Sequence, residues 1–149
     1  MQPNGKIIAV GSSGDASANS DFALKRYNSN GTLDSDFGSG GRVTADFRGA
    51  GTYDVAFAAT VEANGKIVAA GETLAARRFF PDFADARYNT DGSADTTFGP
   101  SGQVITSFGL ASLAWAVAVQ HDGKIVAGGQ TSPATNLLDF DFALARYLP

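Results

Sequence analysis

The stretch "VEANGKIVAAG" at 61–71 is written again at 119–129 as "VQHDGKIVAGG", and the chain begins with a shorter version, "QPNGKIIAVG". Self-similarity at a fixed period constrains a fold more than any local signal, because each copy must form the same unit. Three registers carry it. Lys6, Lys66 and Lys124 share the "GKI" position; Asp21, Asp82 and Asp141 open "DFALKRYN", "DFADARYN" and "DFALARYL"; Gly31 and Gly92 sit in matching Gly/Asp-rich connections. Equivalent residues lie 58 to 61 apart, so the 149 residues hold about two and a half copies.

Each copy reads as four short strands. The first is "YDVAFAATVE" or "LAWAVAVQ", where Val55, Phe57 and Ala59, or Trp115, Val117 and Val119, alternate with small residues. The second is "KIVAAG", reached through Asn4-Gly5, Asn64-Gly65 or Asp122-Gly123. Such pairs take positive φ readily and predict tight hairpin turns. The third is "FALKRY", with Phe22, Leu24 and Arg26 on one face, and the fourth is "RVTADF" or "QVITSF". Phe37 and Phe98 are the apolar anchors of the connection between them. Thirteen of the fifteen acids are Asp, a turn residue, and only two are Glu, a helix former. No stretch shows a helical stripe with caps. The chain is all-β.

A four-stranded unit of this size cannot bury both faces alone, so copies stack. Radial blades and a linear β-solenoid both do so. Hairpin turns within each copy and the small-residue "AVA" strand favour blades crowding a central axis. The expectation is a partial β-propeller of ten short strands: three in 1–52, four in 53–112 and three in 113–149. A closed ring needs at least about four blades. Missing blades therefore come from a longer chain or from a homo-oligomer.

The phrase "DFALxRYNxDGxxDxxFGxxGxV", followed by "AVAVQxDGKIVxAG", resembles the delta-60 repeat family. The resemblance rests on Asp21-Phe22-Ala23-Leu24, Arg26-Tyr27-Asn28, Gly31, Asp34, Phe37-Gly38 and Gly41. The second copy supplies Asp82-Phe83-Ala84, Arg87-Tyr88-Asn89, Asp91-Gly92, Asp95, Phe98-Gly99 and Gly102. It implies a bacterial β-propeller-type module, recurring in large and often exported proteins, with no established activity. Three departures stand out: Asp85 replaces Leu24 and Leu144, Ala94 replaces Leu33, and "LAARRFFP" widens a loop.

Chemistry needs unlike groups converging, whereas a repeat supplies the same group again. The single His, His121, falls at a hairpin position held by Ala63 and Pro3 in the other copies, which marks a turn residue rather than a general base. Without Cys there is no disulfide and no thiolate metal site. No serine sits in a nucleophile elbow, and "FGSGGR" lacks the phosphate-loop spacing. The sequence thus predicts no catalytic residue and no cofactor. Calcium is the one candidate ion, at Asp34 with Asp36 and Asp91 with Asp95, where turn-forming Asp explains the same residues.

The recurring positions Asp21, Arg26, Tyr27; Asp82, Arg87, Tyr88; and Asp141, Arg146, Tyr147, with the turn glycines Gly5, Gly65 and Gly123, are assigned a structural role. Arg26 and Arg87 are expected to staple blades through a carboxylate such as Asp34 or Asp95; a ring of Arg heads binding an anion is the alternative. The repeated lysines are expected to extend into solvent. Arg77, Arg78, Phe79 and Phe80 form either a binding loop or an edge cover. Net charge near −4 gives no electrostatic pull toward nucleic acid, and no run is long and apolar enough to insert in a membrane. No leader for secretion is seen at the N-terminus; export or surface display is implied only by the resemblance. The expected function is a non-catalytic scaffold or binding module. The alternative is a propeller that binds or cleaves carbohydrate or another polymer, using Tyr27, Tyr88, Trp115 and the Asp pairs; the ligand in either case would be an extracellular polymer or a protein.

Overall fold

The structure is a computed structural model and describes residues 1–15, 19–132 and 139–149. Part of the serine-rich stretch "GSSGDASANS", residues 16–18, lies outside the described residues. Ten strands follow one another: β1 (Ile7–Asp15), β2 (Asn19–Tyr27), β3 (Arg42–Ala45), β4 (Tyr53–Val61), β5 (Ile67–Leu74), β6 (Asp82–Tyr88), β7 (Gln103–Thr106), β8 (Ala111–Val119), β9 (Ile125–Ser132) and β10 (Asp141–Tyr147). A short 3-10 turn, Pro100–Gly102, precedes β7. Since β8 begins at Ala111, the boundary expected after residue 112 falls inside that strand.

Pairing within each group is antiparallel: β1-β2-β3, β4-β5-β6-β7 and β8-β9-β10. A single parallel bridge, Ser20 to Tyr53, links the first sheet to the second. The result is an open, partial β-propeller-like stack of three sheets.

Each repeated Asn-Gly or Asp-Gly pair lies in the same kind of tight turn. Glu62 N–H donates to the Lys66 carbonyl at 2.8 Å, and Gly65 N–H donates to the Glu62 carbonyl at 2.9 Å. That encloses three residues, Ala63-Asn64-Gly65, and only Gly65 has positive φ, at 85°. Asn64 instead uses its side chain, whose Oδ1 accepts the Lys66 N–H at 2.9 Å. Asn4 and Asp122 do the same for Lys6 and Lys124.

The first strand of a copy does not alternate evenly. β4 bulges at Phe57 and β8 at Trp115, and these two rings pack together with centroids 4.5 Å apart. The bulge turns the Val55 carbonyl toward β5. A Cβ on Gly71 would stand 1.9 Å from that oxygen, which is why Gly is required there.

Burial explains the stacking. One face of a sheet carries large residues and the other small ones. Phe22, Leu24 and Phe37 of the first sheet pack on Ala56, Ile67, Ala69, Ala84, Ala86 and Tyr88 of the second. Phe83 then packs on Ala114, Ala127, Ala143 and Ala145 of the third, and Phe98 on Ile125. Apolar area removed from water in this way is the main force joining one copy to the next.

Candidate functional site

Two copies build the same charged cluster. Arg26 is buried because β2 points it with Phe22 and Leu24 toward the second sheet, and its guanidinium lies 4.5 Å from the Phe37 ring centroid. Its Nε donates to Asp34 at 2.5 Å, and its Nη1 donates across the junction to the Thr90 carbonyl, also at 2.5 Å. Arg87 repeats this over Phe98, at 4.9 Å, with Nε donating to Asp95 at 2.7 Å and Nη2 to Thr97 at 2.9 Å. Each Arg therefore binds the carboxylate of its own copy rather than that of the next blade, and only Arg26 reaches across.

The lysines also depart from expectation. Lys6 reaches Asp34 and Lys66 reaches Asp95, both at 2.7 Å, so their ammonium ends are ion-paired instead of free in solvent. Lys124 pairs with Asp122. Hydrogen bonds from Lys6 and then Arg26 hold Asp34 below the usual carboxylate range. Burial works against ionisation of Asp95, but bonds from Lys66 and Thr97 and the Arg87 charge outweigh it and push that pKa down as well. The Arg26 and Arg87 heads are thus occupied by carboxylates and are not free to bind an anion. Asp34 and Asp95 also accept backbone N–H groups at Asp36 and Thr97. Cations and amides of the chain therefore already take the Asp34 and Asp95 oxygens.

The third Asp–Arg–Tyr set is different. Asp141 and Arg146 are exposed, while Tyr147 packs edge-on against Phe98 at 5.7 Å. Tyr147 also resolves the odd Asp85. That carboxylate is fully buried at the second junction, and the Tyr147 hydroxyl donates to it at 2.9 Å while lying 2.9 Å from the Thr106 hydroxyl. Burial pushes the Asp85 carboxyl up to about 7, with the Tyr147 bond pulling the other way. At the first junction Leu24 takes the Asp85 position, and the matching Tyr88 hydroxyl is buried without a hydrogen-bond partner among the described residues.

The aromatic residues that suggested polymer binding do not converge. Tyr88 is buried, Tyr27 is half-buried, and Trp115 is stacked on Phe57. In the widened loop Arg77 has φ 64°, Arg78 donates to Asp82 at 3.0 Å, Phe79 is exposed and Phe80 is half-buried. His121 is exposed at its turn. Among the described residues no helix is long and apolar enough to cross a membrane.

One acidic cluster went unnoticed in the sequence. Asp21 on β2, Asp46 after β3 and Asp54 on β4 each place a carboxylate oxygen within 4.8 Å of the others. Burial raises the pKa of Asp54 and of Asp21, and the Asp46 charge adds to both. Such a set of hard oxygens can hold a divalent cation such as calcium. The signal lay in departure from the repeat, since Asp46 and Asp54 become Ser107 and Ser112 in the next copy.

Sequence comparison agrees with this architecture. Residues 2–37 and 62–98 match the family model described as "Domain of unknown function (DUF5122) beta-propeller". The repeat is of β-propeller type. The two segments are the same part of successive copies, from the "GKI" hairpin to the Phe37 or Phe98 anchor. No curated protein matches the chain.

Proposed function

We propose that the chain is a non-catalytic β-propeller repeat module with a scaffold or binding role, whose end faces receive further blades of the same repeat from a second copy. One observation carries this reading. Phe142 is 99% and Leu144 69% exposed at the positions where Phe22, Leu24 and Phe83 are fully buried by the following sheet. With Trp115, Phe140 and Gly128 they line an apolar groove of about 520 Å³. At the opposite end Ala9, Gly11 and Ala23 present the small-residue face that the inner junctions use, there forming only a shallow groove of about 150 Å³. Large face on small face is the packing the chain already makes twice, so a second copy continues an existing interface.

Lys25 stands on that small face where Ala86 and Ala145 stand in the other copies. Its stem can cover apolar surface, but its charge weakens the contact. The resemblance to delta-60 repeats supports placing the module in a large exported or surface protein. The ion-paired state of Asp34 and Asp95 supports a structural rather than a catalytic use for them.

Sedimentation equilibrium over a hundredfold concentration range tests the reading. The mass should rise above that of one chain, Lys25→Ala should strengthen association, and Phe142→Lys with Leu144→Lys should abolish it. A chain that stays monomeric throughout, or associates equally well with both lysines added, overturns it.

A further inference from the structure

The first junction carries a charge problem that the second has solved. Asp82 opens β6 as Asp21 lies in β2, and it is held by two guanidinium groups: Arg48 at 2.5 Å and Arg78 at 3.0 Å. At the first junction the same position has two further carboxylates beside it and no cation. Among the described residues none of Asp21, Asp46 and Asp54 is ion-paired. Neighbouring carboxylates repel unless protonated or bridged by a cation.

Asp54 supplies the second observation. Its side chain is fully buried; Oδ2 accepts the Phe47 N–H at 3.0 Å and the neighbouring Thr73 hydroxyl favours the charged carboxylate, but Oδ1 makes no well-formed hydrogen bond among the described residues. An orphaned, buried carboxylate oxygen is costly and calls for a partner. The same place in the next copy is filled by Ser112, whose hydroxyl caps Phe108 N–H at 3.3 Å and meets the Thr131 hydroxyl at 3.2 Å. Capping the chain after the fourth strand therefore needs only a hydroxyl, and the charge of Asp54 is surplus to it. Asp46 is fixed in place because its Oδ1 accepts the N–H groups of Arg48 and Gly49 at 3.0 and 2.6 Å.

We propose that Asp21, Asp46 and Asp54 form a calcium site that clamps the first sheet to the second. Three oxygens within 4.8 Å of one another can share a centre at calcium's usual distance of about 2.3–2.6 Å, whereas magnesium dehydrates reluctantly and demands near-ideal octahedral geometry, which suits it less to a set of protein carboxylates. The donors are all oxygen, which favours a hard cation over zinc or copper. The ion would sit beside the Ser20–Tyr53 bridge, joining β2, β4 and the segment after β3 in the role that Arg48 and Arg78 play at Asp82.

Titration calorimetry and thermal unfolding of the chelator-treated full chain test the site with calcium chloride, and magnesium chloride serves as the comparison. One calcium per chain should bind, and the unfolding midpoint should rise with calcium far more than with magnesium. Asp21→Asn and Asp46→Asn, made separately, should each weaken calcium binding at least tenfold. Both residues are at least partly exposed, and Asn keeps the Oδ1 acceptor that caps the Asp46 turn. Asp36→Asn, an exposed acid of the Asp34 loop, should leave binding unchanged. No heat and no midpoint shift at millimolar calcium overturns the proposal, as does unaltered binding in folded Asp21→Asn and Asp46→Asn chains.

Discussion

Asp85 shows how one residue can depart from a repeat and keep the fold. The alignment marks it as a carboxylate at a Leu position, and nothing in its neighbours along the chain tells what faces it. Its partner, Tyr147, is 62 residues away on the next sheet. The native group holds its proton to about pH 7, while the unfolded group releases it near pH 4. Between those values the native state binds more protons, so this contribution is fully present below about pH 4 and lost as pH rises through 7. The loss is on the order of a few kcal/mol, since a tenfold difference in proton affinity between the two states is worth about 1.4 kcal/mol. Asp85→Leu removes it and restores the residue of the other copies, and the Tyr147 hydroxyl keeps Thr106. Urea midpoints measured at pH 5 and pH 8 should fall more for the native chain than for the variant, which should be the more stable at pH 8. An equal fall in both would contradict the assignment.

At the level of elements, periodicity made the strands legible, and the alternation of large and small faces could be read from "FALKRY" and "KIVAAG". Local geometry was less visible. A bulge leaves no mark in the strand that carries it, because Phe57 and Trp115 look like ordinary members of an alternating run. Its trace is the Gly opposite, at 71 and 129, where a Cβ would meet the bulged carbonyl at 1.9 and 1.8 Å. Gly71→Ala should cost about 3 kcal/mol, because backbone on both strands must move. Gly11 holds the same position in β1, an edge strand paired only with β2, and a Cβ there meets nothing within 4 Å. Gly11→Ala should be neutral or slightly stabilising, since it narrows the unfolded ensemble. Denaturant titration of the two variants side by side separates a role in the bulge from mere strand propensity. Equal effects at both positions would remove the bulge explanation. The charged clusters were half legible for a similar reason. The pattern pointed to Asp34 and Asp95 as partners for the repeated Arg but placed the bond between blades, whereas each pair forms within one copy; the reach of Lys6 and Lys66 depends on how the three-residue turn aims them.

Among the described residues the main contacts between sheets join successive ones, so stability is approximately a sum of sheet terms and junction terms. The non-repeating acids at the first junction and the Asp85–Tyr147 pair at the second make the two junctions chemically unlike, although their apolar packing is the same. The second rests heavily on Phe83, which is fully buried against Ala114, Ala127 and Ala143. Phe83→Ala opens a cavity there and should cost about 3–5 kcal/mol. Because that loss falls on a junction, it should uncouple the third sheet rather than weaken all three equally. The chain has one tryptophan, Trp115, and it lies on β8 against Phe57 of the second sheet. Its fluorescence therefore reports the third sheet and its contact, while far-ultraviolet circular dichroism reports all the strands. In guanidinium the two signals should coincide for the native chain. For Phe83→Ala the fluorescence change should move to lower denaturant and precede most of the dichroism change. If both signals shift together by the same amount, the three sheets unfold as one unit and the junction is not the separable element that the repeat implies.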